Sequence, residues 1–294
     1  MYVQRVNLAI DHIVRHLKEP LRLEDVARVA CFSPFHFHRI FQAALGETLN
    51  QFVRRLRLER AIGYMSHGRK RSLTEIALAC GFRSSSDFSR AFKQRFGVPP
   101  RDFDLQTFRD QRREDLKAIG GEAMAPYQLD RLPPGTNPDG FEAQLVDLPP
   151  RTVAYLRVLD PFRPDVVFAA TERLVAWAES RGLADRNWMG YMWEDPDIVA
   201  LADCRYDVAV EVPHFKPEGE VGRYRFPAMT VAQVEVRGPI DLEQRALDWL
   251  FLTWLPDSGY VPDEQPCFEA WIGRPFAHGT EHFELYAQLP VVRS

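Results

Sequence analysis

The feature that most constrains this chain is an internal repeat within its first hundred residues. One set of positions recurs after 50 residues, and a second set recurs after 51. The first set pairs Leu23, Val26, Ala27 and Phe32 with Leu73, Ile76, Ala77 and Phe82; the second pairs Ser33, Phe37, Arg39, Phe41 and Gly46 with Ser84, Phe88, Arg90, Phe92 and Gly97. Such repetition indicates one supersecondary unit used twice. The offset changes in the turn between two predicted helices, where an insertion is easily accommodated.

Each copy is predicted to be a short helix, a tight turn and a second helix. Ser33 followed by Pro34 is typical of an N-cap and a first helical position, and Ser84 with Asp87 approaches a capping box. Apolar stripes are expected to face the core; they comprise Phe37, Ile40, Phe41 and Ala44 in one copy and Phe88, Ala91, Phe92 and Phe96 in the other. Amphipathic spacing also predicts a helix near residues 6–17 and a long helix near residues 49–65.

The opposite faces of the two second helices are polar and basic. They carry Phe35, His38, Arg39 and Gln42 in the first copy, and Ser85, Ser86, Ser89, Arg90 and Lys93 in the second. Residues 1–108 hold 18 basic and 10 acidic side chains, a net charge of +8, whereas the remainder carries −12. An exposed helix with an arginine near its start, in a helix–turn–helix, is what reading of a DNA major groove requires.

A stretch rich in proline and glycine divides the chain. We expect an all-α domain at residues 1–108, a linker at 109–140 and a second domain at 141–294. The second domain repeats as well: Thr152-Val153-Ala154 recurs as Thr230-Val231-Ala232, and Tyr206-Asp207-Val208 recurs as Phe283-Glu284-Leu285. The sequence therefore predicts a multidomain protein, with the double helix–turn–helix followed by an α+β domain of two pseudo-symmetric strand–helix–strand–strand halves.

Composition excludes several other classes. A chain of 294 residues with 46% hydrophobic positions is neither disordered nor fibrous, and no apolar run is long enough to cross a bilayer. Without a signal-peptide pattern, we expect a cytoplasmic protein whose cysteines, Cys31, Cys80, Cys204 and Cys267, are reduced and buried. His36 and His38 point to different helix faces, and Gly279 between His278 and His282 favours a loop, so neither a metal nor a cofactor is expected.

The run from Ile76 to Arg101, IALACGFRSSSDFSRAFKQRFGVPPR, resembles the AraC/XylS family of transcription regulators. The resemblance implies two recognition helices in successive major grooves of double-stranded DNA. It implies base-reading roles for Phe35, His38 and Arg39 in the first helix and for Ser86 and Arg90 in the second. Arg54, Arg55, Arg57 and Lys93 are expected to contact phosphates. RNA polymerase is a candidate further partner, and the duplicated helices permit either a monomer or a dimer.

The C-terminal part resembles the GyrI-like effector-binding domains, through Asp195–Pro213 and Leu250–Pro290. Together with the basic N-terminal domain, this is a Rob-like architecture. The resemblance implies that Glu269 lies in an aromatic pocket and pairs with an organic cation, a chemistry supported by charge neutralisation and cation–π attraction. Further candidate ligand-binding residues are Trp271, Tyr191, Trp193, Trp188 and Tyr155.

Two other functions stay open at this point. Some GyrI-like relatives hydrolyse small molecules, so Glu269 with a nearby tyrosine is a candidate acid or base; alternatively, the domain binds a protein and no ligand. Because the sequence holds no Ser-His-Asp order, phosphate loop or metal motif, we expect a ligand sensor with no catalytic residues, not an enzyme.

Overall fold

The computed structural model describes residues 2–67, 71–119 and 132–294. The chain divides into two compact units. The N-terminal unit comprises residues 1–109 and 218–222, and the C-terminal unit comprises residues 110–217 and 223–294. Across the described ranges, no helix is both long and apolar enough to span a bilayer.

The N-terminal unit is helical. Its helices are α1 (Tyr2–Arg15), α2 (Leu23–Val29), α3 (Pro34–Leu45), α4 (Leu49–His67), α5 (Leu73–Ala79) and α6 (Ser85–Phe96), followed by a 3₁₀ turn at Pro100–Asp102. A further helix, α7 (Leu105–Ile119), continues past residue 109 into the predicted linker, whose residues 120–131 lie outside the described ranges. The pairs α2–α3 and α5–α6 form the two predicted helix–turn–helix units, which confirms the helical class of this part of the chain.

Local sequence explains where these helices begin. The Ser33 hydroxyl accepts the His36 backbone N–H at the start of α3, and the Ser84 hydroxyl accepts that of Asp87 at the start of α6. The complete capping box lies one helix earlier, where Ser72 and Glu75 satisfy each other's backbone N–H at the start of α5. At α6, where the sequence predicts the nearest approach to a capping box, the Ser84 side chain caps the Asp87 backbone N–H.

The turn inside each helix–turn–helix uses the left-handed backbone region. Gly81 has φ +85°, and a β-carbon there would lie 2.8 Å from the Leu17 carbonyl oxygen. Cys31 occupies the corresponding turn of the first copy with φ 55°, and its side chain is exposed. The expectation that all four cysteines are buried is therefore wrong for Cys31, because its position belongs to a turn on the surface.

Aromatic rings fill the core of this unit. Phe37, Phe41 and Phe52 are fully buried, and the rings of Phe41 and Phe52 meet edge to face at 5.4 Å. Phe88 and Phe92 are the buried counterparts in the second copy. Ala44, expected in the first stripe, is exposed, because it lies in the last turn of α3, where the helix leaves the core.

The C-terminal unit is built on one antiparallel sheet. Its strands are β1 (Gln144–Leu148), β2 (Arg151–Leu159), β3 (Trp188–Met192), β4 (Arg205–Glu211), β5 (Gly222–Phe226), β6 (Met229–Gly238), β7 (Tyr260–Pro262), β8 (Phe268–Trp271) and β9 (Phe283–Arg293). The order is β1-β6-β9-β8-β3-β4-β2-β5, and β7 pairs with β9. The helices are α8 (Val166–Glu179) and α9 (Ile240–Trp249), the latter continued by a π-helical segment at Leu250–Trp254 and by α10 (Leu255–Asp257).

The two predicted halves are present and meet in the middle of the sheet. One half is β2, α8, β3 and β4, the other is β6, α9, β8 and β9, and the strands at their junction are β3 and β8. This confirms the α+β class. Strands β1, β5 and β7 are additions that the repeat did not predict.

Candidate functional site: exposed helix faces and a buried carboxylate

Helix α3 presents its predicted base-reading residues to solvent. Phe35, His38 and Arg39 are all exposed, and Phe35 keeps 68% of its surface accessible although it is a large apolar side chain. The guanidinium carbon of Arg39 lies 5.7 Å from the centre of the Phe35 ring, one helical turn away. An exposed aromatic ring beside an arginine is suited to a thymine methyl next to a guanine edge.

Helix α6 presents the matching positions of the second copy. Ser86 and Arg90 are exposed, while Phe88 and Phe92 on the other side of the helix are fully buried. Arg39 and Arg90, which the repeat relates, are thus both exposed on helices anchored through phenylalanines. Helix α4, which joins the two copies, has 19 residues and is about 28 Å long at 1.5 Å per residue. That length is of the order of one turn of B-DNA, about 34 Å.

Two of the four expected phosphate contacts are instead structural. Arg55 is buried and donates to Glu47 (Nη2–Oε1 2.6 Å) and Glu59 (Nη1–Oε1 3.0 Å), and it lies 5.2 Å from the Phe52 ring centre. Arg57 donates to the carbonyl oxygens of Leu17 and Glu19. Successive helical positions turn by 100°, so in the run at 54–57 only Arg54 is exposed. Lys93 on α6 is also exposed.

Glu269 lies at the centre of the sheet in the C-terminal unit. Its strand, β8, runs between β3 and β9, and Glu269 stands opposite Gly190 on one side and Ala287 on the other. Trp271 stands opposite Trp188. Because directly opposed residues of antiparallel strands point to the same side, Glu269, Trp271 and Trp188 share one face of the sheet. The register thus places three of the six predicted ligand-binding residues on one face of the sheet, although Trp188 is fully buried there.

Tyr206 reaches Glu269 from two strands away. Its hydroxyl donates a hydrogen bond to Oε2 of Glu269 at 2.5 Å, although Tyr206 lies on β4 and β3 runs between them. Gly190 on β3 makes this possible, because a β-carbon there would lie 1.7 Å from the Tyr206 hydroxyl oxygen. The strand that separates the two residues therefore has no side chain at the crossing point.

The surroundings of Glu269 make its negative charge costly. Burial raises the pKa of Glu269 to about 7, and the hydrogen bond from Tyr206 acts against that rise. Glu269 nevertheless keeps part of its surface accessible. Glu269 is thus a desolvated but partly accessible acid, for which a bound cation would replace the missing solvation.

A second carboxyl lies in the same half of the unit. Glu243 on α9 has only 5% of its surface accessible. Its pKa is raised well above the ordinary value, first by burial and then by the negative charge of Glu269. The charge of Glu269 therefore disfavours the charged form of Glu243, and the environment of the two acids is suited to a cation.

The remaining aromatic candidates lie on the other side of the sheet. Tyr155, Tyr191 and Trp193 pack in a cluster with Phe226 and Phe268. Alternation along β3 and β8 causes the separation, because Tyr191 follows Gly190 and Phe268 precedes Glu269, so both point away from the carboxylate. The expected grouping of these three residues with Glu269 is therefore corrected: they surround the ion pair of Arg157 and Asp207 on the opposite face.

Histidines and cysteines form no comparable centre among the described residues. No group of three side chains of the types His, Cys, Asp and Glu is placed there to hold a metal ion. His278 and His282 each lie 3.6 Å from Oε1 of Glu284. Three of the four cysteines, Cys80, Cys204 and Cys267, are buried or half-buried.

Comparison with known families assigns the C-terminal half. The family described as the GyrI-like small molecule binding domain matches residues 141–292, slightly more than half of the chain. The chain belongs to the GyrI-like family. A helix-turn-helix domain family matches residues 26–106, which contain α3 and α6 of this GyrI-like protein. The two matches confirm the resemblances found in the sequence.

Curated relatives match the N-terminal part of this GyrI-like protein. The "Uncharacterized HTH-type transcriptional regulator YbfP" of Bacillus subtilis is 37% identical over 99 residues, covering 34% of this chain and 33% of the relative. The "Regulatory protein SoxS" of Salmonella typhimurium is 29% identical over 100 residues, covering 34% of this chain and 92% of the relative. For the first three relatives, the matched region spans only 26–40% of their length.

A solved structure also matches part of this chain. The crystal structure of the EcmrR C-terminal domain covers 53% of this chain and 99% of that chain, with 19% identity and a TM-score of 0.41.

Three residues of the site were not singled out from the sequence of this GyrI-like protein. A sequence signal was present for Tyr206. The internal repeat aligns it with Phe283, so at this position the two halves differ by one hydroxyl group. Gly190 lies inside a strand, where a glycine often marks a close approach by another group. Glu243 has a weaker signal, an acidic residue on the apolar side of a predicted helix.

Proposed function

We propose that this protein is a sequence-specific DNA-binding transcription regulator whose C-terminal domain senses a small cationic or aromatic effector. The observation that carries the DNA-binding part is the equivalence of Arg39 and Arg90. Both are exposed at corresponding positions of duplicated helices, each of which is capped by serine and anchored through buried phenylalanines. The regulators among the curated relatives support the same conclusion.

Electrophoretic mobility shifts against genomic fragments test DNA binding. An arginine that forms a bidentate contact with guanine contributes about 1–3 kcal/mol of discrimination, so Arg39→Ala and Arg90→Ala should each weaken binding about 10- to 100-fold. Arg28→Ala is the matched control, since Arg28 is exposed on α2 and pairs with Asp25 on the surface. If all three variants bind as the parent does, base reading by Arg39 and Arg90 is contradicted.

The carboxylate of Glu269 supports a cationic effector. It is partly accessible, shares its face of the sheet with Trp271 and Trp188, and has a raised pKa that an arriving cation would lower. Tetraphenylphosphonium should raise the melting temperature of the parent chain but not that of Glu269→Gln. Glu281→Gln, which changes an exposed glutamate of the same unit, is the control. Equal stabilisation of all three chains would contradict the role of Glu269.

The contact between Tyr206 and Glu269 also favours a second candidate function. A carboxyl group with a pKa of about 7, hydrogen-bonded to a tyrosine, is suited to exchange a proton with a substrate and so to assist a hydrolysis. Mass spectrometry of a bound ligand after prolonged incubation separates the two functions. A sensor returns the ligand unchanged. An enzyme converts it to products that together carry one added water molecule, and Glu269→Gln should abolish that conversion.

A further inference from the structure

Glu243 is a buried acid whose surroundings leave one oxygen unsatisfied. It lies on the same side of α9 as Ala246 and Leu250, three and seven positions on, and all three are buried. Its Oε2 atom is buried without a hydrogen-bond partner among the described residues. A buried polar atom without a partner costs free energy, and native proteins hold few of them.

Helix α9 packs against the face of the sheet that carries Glu269. Ala246 and Leu250 pack in one cluster with Val234, Ala287 and Trp271. Ala287 stands between Val234 and Glu269 in the register of β6, β9 and β8. Glu243 on α9 and Glu269 on β8 therefore lie in the same layer of the unit.

Two electrostatic effects agree with that placement. The negative charge of Glu269 contributes to the raised pKa of Glu243. Glu243 also contributes, after burial and Asp195, to raising the pKa of Cys267, two residues before Glu269, to about 12. Two acids, one on a helix and one on a strand, thus lie within electrostatic reach of each other in an apolar cluster.

Packing alone gives no reason for an acid at this position. Leucine at residue 243 would fill the space without an unsatisfied polar atom. In the same cluster, the buried Nε1 of Trp271 also lacks a hydrogen-bond partner among the described residues. Two unsatisfied polar atoms in the same layer of the unit are what a ligand with its own hydrogen-bonding groups would complete.

We propose that Glu243 is a second effector-binding residue, so that the site accepts an aromatic dication whose N–H groups reach both Glu243 and Glu269. This inference rests on the proposed sensing function and narrows its ligand class. A quaternary ammonium or phosphonium cation has no N–H to donate to Oε2 of Glu243, whereas an amidinium or protonated amine has. On binding, the O–H bond of the protonated Glu243 carboxyl breaks and its proton passes to solvent.

Calorimetric titration of the full chain at pH 7 with two probes tests the proposal. Pentamidine is an aromatic dication with amidinium N–H groups, and tetraphenylphosphonium is an aromatic monocation without them. Glu243→Gln should weaken pentamidine binding about 10-fold or more and change tetraphenylphosphonium binding less than about twofold. Glu269→Gln should weaken both, and Glu281→Gln neither. Glutamine closely matches the protonated carboxyl, so the variant is expected to fold.

The number of protons released on binding separates ligand contact by Glu243 from a merely structural role, which would leave that number unchanged. Repeating the titrations in two buffers of different ionisation enthalpy should show that pentamidine releases about one more proton than tetraphenylphosphonium, and that Glu243→Gln removes this difference. If Glu243→Gln weakens both probes equally, or neither, the inference is overturned while sensing through Glu269 stands. If neither probe binds the parent chain, cation sensing fails together with the inference.

Discussion

The hydroxyl oxygen of Tyr206 lies 1.7 Å from the point that a β-carbon on Gly190 would occupy. The tyrosine therefore crosses β3 only because residue 190 is glycine, and the crossing brings its hydroxyl to Glu269. This contact joins β4 of one half of the domain to β8 of the other, across the junction of the repeat.

Gly190→Ala should break that contact. The added methyl group cannot coexist with Tyr206 in its present position, and the displaced hydroxyl would leave Glu269 without its donor. We expect tetraphenylphosphonium affinity to fall about tenfold and the variant to lose about 1–3 kcal/mol of folding free energy. Calorimetry and urea unfolding measure the two effects. Unchanged affinity would show that the Tyr206 contact is unimportant for binding.

Tyr206→Phe should shift the pH dependence of cation binding. The hydrogen bond from Tyr206 favours the charged form of Glu269 and lowers its pKa, so removing the hydroxyl should raise that pKa above its value of about 7. Because the carboxylate binds the cation, affinity in the parent should fall as pH drops through about 7. In the variant, fluorescence titration with a cationic dye should find the same fall at higher pH. An identical pH profile would contradict the assignment.

Glu269→Gln should be more stable than the parent in alkaline solution. The pKa of Glu269 is raised on folding, so the folded state binds the proton more tightly, and the parent loses stability as pH rises from about 4.5 to about 7. The uncharged variant avoids this loss, so we expect a gain of about 1–3 kcal/mol at pH 8 and none at pH 5. Thermal melts at the two pH values measure it. An equal difference at both would exclude titration of Glu269 as the cause.

Arg54 and Arg55 are neighbours in sequence with different expected roles. Arg55→Ala leaves Glu47 and Glu59 without their shared cation, so it should cost about 2–4 kcal/mol of folding free energy. Arg54→Ala removes an exposed charge, so it should leave stability within about 0.5 kcal/mol and weaken DNA binding at low salt. Denaturant melts and binding isotherms distinguish them. The reverse pattern would show that the two side chains are wrongly assigned.

The duplicated helix–turn–helix units and the two halves of the C-terminal domain could be predicted, because equivalent core positions recur at fixed spacing along the chain. The buried phenylalanines of α3 and α6 follow from spacing alone, as does the equivalence of β2 with β6 and of β4 with β9 in the two halves. Which of the predicted aromatic residues share a face of the sheet with Glu269 could not be assigned in this way. Which side of the sheet a residue faces depends on strand register, and a shift of one position separates Gly190 from Tyr191.

Side-chain contacts between residues far apart in the sequence could also not be predicted from residue spacing. The sequence signals at Tyr206 and Gly190 do not identify Glu269 as the partner, because Tyr206 and Glu269 are 63 positions apart. Similarly, three of the four residues at 54–57 are arginines, and only the packing of α4 shows that Arg55 and Arg57 make structural contacts with Glu47 and with the Leu17 carbonyl oxygen.

Footprinting of the full chain on a selected DNA site tests the central claim most directly. If both helix–turn–helix units read base edges, the parent should protect two major-groove segments about one helical turn apart. Arg39→Ala should lose protection of one segment and Arg90→Ala of the other. A single protected segment, or loss of the same segment in both variants, would contradict a double reader.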